Sequence, residues 1–250
     1  MSAQKIEGII LRKYYLRETS YILVVYTKEL GKIKGVIKGV RNPYPQFAGN
    51  FGIFTQCEML FYKKQKRSMD LISRCETLNP FSDIRKEIER LTYANYFIEL
   101  VDIVTSEYDP NEGLYDVLLN CLVMLSTSSS AKRIGRIFEL KLLDAIGLSP
   151  GLIQCVECGS SPEKSIRFNV KSGGILCSNC GRSGINISPG TANFMRKIQT
   201  SDLEKTFRIK VSKKVGEETE KVLQSFIAYH VNRPVKSMKF LEKLDKEGII

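Results

Sequence analysis

Two pairs of cysteines constrain the fold of this chain more than any other sequence feature. Cys155 and Cys158 form the first pair, and Cys177 and Cys180 follow after eighteen intervening residues. Two cysteines at this spacing lie on one tight turn, so both sulfurs can bind the same ion. Because a tetrahedral set of four sulfurs is typical of Zn²⁺, the pattern predicts a zinc ribbon with one structural zinc ion.

Each pair is followed directly by a glycine, Gly159 or Gly181, which we expect to turn backbone amides toward the thiolates. Two disulfides and unligated cysteines in a core are the alternatives. Disulfides are disfavoured in a cytosolic chain, and core cysteines rarely fall in two such pairs. Catalytic zinc is also disfavoured, because four thiolates leave no open position for water. We expect the other three cysteines simply to be buried; they are Cys57, Cys75 and Cys121.

The charge of the chain is strongly positive, at +11, and concentrated at the two ends. Residues 1–80 hold 14 basic and 6 acidic side chains, residues 81–150 hold 7 and 11, and residues 187–250 hold 13 and 8. Such an asymmetry favours a polyanion, with nucleic acid ahead of an anionic membrane. The longest apolar stretch, Tyr21–Tyr26, is too short to cross a bilayer. With no signal-peptide pattern at the start, we expect a cytoplasmic protein without a membrane partner.

The first third of the chain has the pattern of a small β-barrel. Short runs rich in β-branched and aromatic residues alternate with turn residues. The predicted strands are Lys5–Lys13, Tyr21–Thr27, Lys32–Val40, Phe54–Lys63 and Met69–Thr77. Five strands in residues 1–79 predict an OB-fold, with an SH3-like barrel as the alternative.

The remaining chain, outside the cysteine segment, has helical periodicity. Apolar residues that include Ile88 recur at helical spacings, and Ser188-Pro189 has the pattern of a helix N-cap followed by proline at the first helical position. We therefore predict an α+β multidomain protein. Residues 1–79 form the barrel, 80–150 with 187–250 form an α-helical domain, and 151–186 form the inserted zinc ribbon.

Basic residues cluster at the strand ends of the predicted barrel. Lys34 and Lys38 are four apart on the predicted third strand, so both should project from one face. The predicted DNA-contacting residues are Arg12, Arg17, Lys34, Lys38, Arg41, Lys63, Lys64 and Arg67. Interleaved aromatics could stack bases as in OB-folds; they are Tyr14, Tyr15, Tyr44, Phe47 and Tyr62. The alternative is a solvated basic face over an aromatic core.

The sequence contains no recognisable catalytic constellation. His230 is the single histidine, and neither a P-loop nor a G-x-G-x-x-G pattern occurs. We therefore expect a protein that is not an enzyme, with no catalytic residue and no small-molecule substrate.

A series of segments, in order, resembles the RecO family of bacterial DNA repair proteins across essentially the whole chain. They are Glu7–Arg12, Glu18–Ser20, Gly31-Lys32, Lys38–Arg41, Phe138–Leu143, Gly147–Pro150, Gly173–Cys177 and Arg233–Ser237. The resemblance implies an N-terminal OB-fold, a helical domain and a zinc-ribbon-like insert. One departure is Asn42–Pro45, which stands where the family often has further basic residues, so this loop should contact phosphate less strongly.

The resemblance also implies function and partners. Family members bind single- and double-stranded DNA, anneal complementary strands, and interact with RecR and the single-stranded-DNA-binding protein. They help to load RecA without hydrolysing nucleotide. The acidic C-terminal tail of the single-stranded-DNA-binding protein would need an apolar groove rimmed by cations. Lys132, Arg133 and Arg136 are the predicted rim, and an ordinary exposed helix face is the alternative.

Two other classes of function remain open from the residues alone. One is a zinc-ribbon protein that acts on RNA or in transcription, which competition between DNA and RNA of equal length would separate. The other is an unrecognised nuclease, which metal-dependent cleavage lost on mutation of a specific carboxylate would reveal.

Overall fold

The computed structural model describes residues 3–40, 51–64, 69–128, 130–162, 166–231 and 233–248. The chain divides into two compact units. Unit 1 comprises residues 1–127 with 236–250, and unit 2 comprises residues 128–235. The three-domain division drawn from the sequence remains a prediction.

Five strands of unit 1 close into a barrel in the order β1-β2-β3-β5-β4. The pairing of β3 with β5 is parallel, and all other neighbours are antiparallel. The strands are β1 (Ala3–Leu16), β2 (Ser20–Thr27), β3 (Gly31–Ile37), β4 (Gln56–Tyr62) and β5 (Asp70–Asn79). Together with the helices and the cysteine cluster described below, the barrel confirms the predicted α+β class with an OB-type barrel.

The barrel core follows from the two-residue alternation of its strands. In β4, Cys57, Met59 and Phe61 point inward and are buried, while the residues between them are half-buried. The turn into β3 requires Gly31, because its φ is +67° and a Cβ there would lie 2.2 Å from the Asp109 carbonyl oxygen.

The predicted third strand is too long, because β3 ends at Ile37 rather than at Val40. Gly39 has a φ of +71°, which breaks the extended conformation. Lys38 therefore lies directly after β3, so the predicted strand end is wrong, and the shared face of Lys34 and Lys38 stays a prediction.

Three helices lie in the described residues of unit 1. They are α1 (Ile88–Val104), α2 (Glu112–Thr127) and the C-terminal α7 (Lys236–Lys246), with a 3₁₀ turn at Ser82–Lys86. Lys32 joins the barrel to α1, because its Nζ donates to the carbonyl oxygens of Asp102 and Thr105 at 2.6 and 2.7 Å. Ile88 was predicted to face the core but is 48% exposed at the first position of α1.

Unit 2 combines four helices with a small sheet of order β7-β6-β8. The elements are α3 (Ala131–Ala145), β6 (Ile166–Asn169), β7 (Gly174–Leu176), β8 (Ile185–Ile187), α4 (Pro189–Thr200), α5 (Leu203–Thr206) and α6 (Lys213–His230). Ser188 caps α4 by accepting from the Thr191 N–H at 3.3 Å, as predicted. Phe168 of the sheet packs edge-on against Phe226 of α6, with ring centroids 5.6 Å apart.

Candidate metal centre and basic surfaces

The two cysteine pairs form matching turns in unit 2. The Gly159 N–H donates to the Cys155 carbonyl oxygen, and the Gly181 N–H donates to the Cys177 carbonyl oxygen, both at 2.8 Å. Gly159 has a φ of +74°, and a Cβ on Gly181 would lie 2.9 Å from the Cys177 carbonyl oxygen. The glycine amides thus close the turns themselves and are not directed at sulfur.

The four sulfurs of Cys155, Cys158, Cys177 and Cys180 lie within 4.8 Å of one another. The Cys158 and Cys177 sulfurs are 3.7 Å apart. A tetrahedral ion bound at about 2.3 Å from each sulfur requires neighbouring sulfurs about 3.8 Å apart. The cluster therefore has the dimensions of a four-thiolate metal site.

Nearby donors favour the thiolate at Cys155 and Cys177, whereas hydrogen bonds with Cys158 and Cys177 raise the pKa of Cys180 to about 12. The hydroxyl of Ser160, followed by the backbone N–H groups of Cys180 and Asn179, lowers the pKa of Cys177 to about 6. Burial opposes ionisation of Cys155, but backbone N–H groups that point at its sulfur outweigh it and lower its pKa. Since metal ligands must be deprotonated, these amides prepare the site for a cation.

Burial divides the four sulfur ligands into two kinds. Cys155 and Cys177 are buried beside Leu176, whereas Cys158 is exposed and Cys180 is half-buried. An ion could therefore be held by a packed inner side and exchanged from an outer side. The remaining cysteines are buried in the cores of unit 1 as predicted; they are Cys57, Cys75 and Cys121.

Two of the predicted DNA contacts, Arg12 and Lys34, lie in one row across the outer barrel surface. Arg12 on β1 pairs in register with Val24 on β2, which pairs with Lys34 on β3. Arg12 also forms an ion pair with Asp102 of α1, which Lys32 contacts at 3.2 Å. Arg12 therefore serves partly to hold α1, while Lys34 is exposed.

Lys63 and Lys64 lie near the same edge of the barrel. The Lys64 N–H donates to the Asp70 carboxylate at 2.7 Å, and Asp70 pairs with Gly35, the neighbour of Lys34. Lys63 lies over the Tyr108 ring with its Nζ 3.8 Å from the centroid. The backbone of Lys64 therefore lies beside the start of β5, which pairs with β3 at the residue after Lys34.

The other predicted DNA contacts are distributed around the barrel or fall outside the described residues. Arg17 is exposed in the β1–β2 hairpin with a φ of +52°, and Lys38 is exposed after β3. Arg41 and Arg67 lie outside the described residues, as do the loop Asn42–Pro45 and the aromatic Phe47.

Sequence reasoning named Tyr15 but missed Tyr21 and Phe51, which complete an aromatic cluster beside the β1–β2 hairpin. Tyr21 lies 5.5 Å from Tyr15 and 6.1 Å from Phe51 between ring centroids, and the Lys13 Nζ is 4.9 Å from the Tyr21 centroid. Tyr15 itself is 71% exposed. The contact between Tyr15 and Tyr21 could have been inferred from cross-strand pairing, because these two residues lie opposite each other in the β1–β2 hairpin.

The predicted partner rim on α3 is only partly at the surface. Arg136 is 4% exposed, and its guanidinium contacts Glu139 at 2.9 Å and Glu220 at 3.0 Å. Lys132 and Arg133 are half-buried at the start of α3. Arg136 therefore joins α3 to α6 through Glu220. It lies in the interior of unit 2, where residues 134–140 are all buried.

Comparisons with known proteins agree with this architecture. Residues 1–81 match the family model described as "Recombination protein O N terminal", and residues 85–239 match "Recombination protein O C terminal". A membrane-spanning helix is absent from the part of the chain that the structure describes, since every helix there is too short or too polar.

Similar proteins named DNA repair protein RecO align with nearly the whole chain. The relative from Acetivibrio thermocellus is 31% identical over 98% of this chain and 99% of its own length. The relative from Desulforamulus reducens is 32% identical over 100% and 98%, and that from Alkaliphilus metalliredigens is 33% identical over 92% and 94%. With both family models matched in order and these relatives covered end to end, the chain belongs to the RecO family of DNA repair proteins.

Proposed function

We propose that this chain is a non-catalytic mediator of homologous recombination in the cytoplasm, associated with the nucleoid. It binds single- and double-stranded DNA, anneals complementary strands and, with RecR, helps to load RecA onto DNA coated by the single-stranded-DNA-binding protein. This proposal is supported most by one combination of findings: the chain belongs to the RecO family, and its barrel carries the exposed Arg12–Lys34 row on the outer surface.

The barrel would bind DNA through charge and stacking rather than chemistry. Lys34 and Lys38 are exposed and can neutralise phosphates, while Tyr14 and Tyr15 are 44% and 71% exposed and can stack bases. Such contacts position a strand without reading its sequence. Annealing needs this property, because the base edges must stay available to the complementary strand.

The four cysteines would hold one structural Zn²⁺. Four thiolates close the coordination shell, so the bound ion supplies folding energy rather than a reactive water. The chain itself would position the ion: two short turns present the sulfurs, and backbone amides offset the negative charge of the thiolates.

The partner site for the acidic tail of the single-stranded-DNA-binding protein is proposed at the start of α3. Lys132 and Arg133 would form its cationic rim, whereas Arg136 is already committed to two glutamates. This part of the proposal is tested by reversing the charge of Lys132 and Arg133 and measuring binding of the tail peptide by fluorescence anisotropy.

The test of the main proposal is strand annealing with the purified chain, on bare DNA and on DNA coated by the single-stranded-DNA-binding protein. K34E/K38E should slow annealing and weaken binding to single-stranded DNA. K213E/K214E makes the same charge change at two exposed lysines of unit 2 and is the matched control. Equal loss in both variants, or none in either, would contradict the barrel surface. Tighter binding to RNA of equal length would favour an RNA-binding zinc-ribbon protein instead.

A further inference from the structure

The C-terminal helix α7 carries a line of exposed cations. Lys236, Lys239, Lys243 and Lys246 are all exposed, and Phe240 lies among them with 48% of its surface exposed. Their spacing of three and four residues places them on one side of the helix. We call these five residues the C-terminal stripe.

The cations of the C-terminal stripe have little to neutralise them. Lys243 lies 3.8 Å from Glu247, an exposed pair of small energetic value. Within the described part of the chain, Lys236, Lys239 and Lys246 form no side-chain ion pair. Although Glu242 and Asp245 also lie on α7, its four exposed lysines leave the helix with a net positive charge that favours an anionic ligand.

The opposite side of α7 is already used within unit 1. Met238, Leu241 and Leu244 are buried, and α7 packs along α1. Glu99 of α1 also fixes the start of α7, because its carboxylate accepts from the backbone N–H groups of Lys236 and Ser237 at 3.0 and 2.8 Å. A helix whose apolar side is packed in this way cannot insert that side into a membrane interface, so the basic side alone is available for binding.

The length of the C-terminal stripe suits a nucleic-acid strand. A rise of about 1.5 Å per residue places Lys236 and Lys246 about 15 Å apart along the helix. One strand of duplex DNA carries a phosphate about every 3.4 Å, so this distance covers about four phosphates. Phe240, in the middle, has the exposed ring on which an unpaired base can stack.

The C-terminal stripe also begins beside the barrel surface. Glu99 and Asp102 are one turn apart on α1, where Glu99 holds the start of α7 and Asp102 pairs with Arg12 of β1. The start of α7 and Arg12 are therefore both anchored on neighbouring turns of α1 within the same unit.

We propose that the C-terminal stripe is a second nucleic-acid site, in which the four lysines bind the phosphate backbone and Phe240 stacks on an unpaired base. This inference rests on the proposed DNA-binding function and extends it from the barrel to the C-terminal helix.

The experiment compares salt dependence of oligonucleotide binding in two full-length triple variants. K239Q/K243Q/K246Q removes three charges from the C-terminal stripe, and K210Q/K213Q/K214Q removes three exposed charges from unit 2. The stripe variant should lower the slope of log affinity against log salt by about 2 for single-stranded DNA, because each lost phosphate contact contributes about 0.7. The control variant should keep the slope of the unaltered chain.

Phe240→Ala supplies a second readout that charge alone would not change. It should weaken binding to single-stranded DNA about tenfold and leave duplex binding nearly unchanged, because paired bases are not available to stack. Since Phe240 is on the solvent side, the thermal midpoint should stay within a few degrees, which circular dichroism checks.

The outcomes separate this site from the barrel. If the unaltered chain binds no DNA, both proposals are overturned. If it binds with a steep salt slope that the stripe variant retains, the C-terminal stripe is excluded and the barrel proposal stands. Equal losses in both triple variants would indicate a diffuse charge effect and overturn the site. Binding to phosphatidylserine vesicles that the stripe variant loses, with DNA binding intact, would assign α7 to a membrane instead.

Discussion

Replacing Arg136 with methionine tests whether the ion pairs of Arg136 stabilise the fold of unit 2. The side chain of Arg136 is 5% exposed and that of Glu139 is 1% exposed, at 2.9 Å from each other. Methionine retains the apolar stem of arginine but leaves the Glu139 carboxylate buried without its cation. Breaking a buried pair in this way costs about 3–5 kcal/mol, because the buried carboxylate loses the charge of its guanidinium partner.

The loss of stability in R136M comes from the buried Glu139 carboxylate, so removing that carboxylate should reverse much of the loss. In R136M/E139L both buried partners are apolar, and such replacements are often close to neutral. Glu220 is 30% exposed and can be hydrated once Arg136 is gone. We therefore expect the double variant to be more stable than R136M by at least about 2 kcal/mol.

Hydrogen exchange followed by mass spectrometry measures this loss in unit 2 alone. A loss of 3–5 kcal/mol lowers the protection of α3 and α6 amides between about a hundredfold and a few thousandfold, while barrel amides serve as the internal reference. Unchanged protection in R136M, or a double variant less protected than R136M, would refute the reasoning. A fall in tail-peptide affinity without loss of protection would instead restore Arg136 to the surface rim.

Three further predictions address the metal centre and two anchoring contacts. A mercurial reagent should release about one zinc per chain, measured with a colorimetric indicator, and protection around β6–β8 should fall; no released zinc would exclude the zinc assignment. Lys32→Met should cost about 1.5–3 kcal/mol in urea unfolding, because it removes a charged donor to the end of α1; a loss below 0.5 kcal/mol, on the order of an average surface substitution, would contradict this. Burial opposes ionisation of Glu218, but donation from Thr191 and from a backbone N–H outweighs it and lowers its pKa. The native carboxylate is therefore favoured above the ordinary glutamate pKa of about 4.3, and Glu218→Gln should cost about 1 kcal/mol at pH 7. The difference should decrease as the pH falls through the lowered pKa of the folded state; a difference that stays constant on acidification would contradict this.

The metal centre was largely predictable from the sequence. The spacing of the cysteines brings Cys155 close to Cys158, and Cys177 close to Cys180, through local turns alone. Four sulfurs in two such pairs have few arrangements other than one shared ion. What the spacing could not predict is the hydrogen bonding, because Ser160 reaches the cluster only once both turns are assembled.

The exposure of the predicted surface residues could not be predicted as well from the sequence, for a physical reason. Lys34 and Arg136 look alike in the sequence, as cations next to apolar neighbours. Their environments differ because Lys34 lies on the outer side of a barrel strand, whereas Glu139 and Glu220 compensate Arg136 inside unit 2. A long charged side chain can be buried only where partners compensate it. One partner of Arg136, Glu139, is three residues away on α3, but the other, Glu220, is 84 residues away.

Short-range spacing along the chain was enough to predict the strand runs of the barrel, the capped start of α4 and the four-cysteine cluster. Which cations remain available to a polyanion depends instead on long-range packing. It ties Arg12 to α1, buries Arg136, and leaves Lys34 and the C-terminal stripe in solvent. The reason is that the partners of a charged side chain decide whether it stabilises the fold or stays available for binding. These partners come together over long sequence separations, and the periodicity of side chains along the sequence does not predict them.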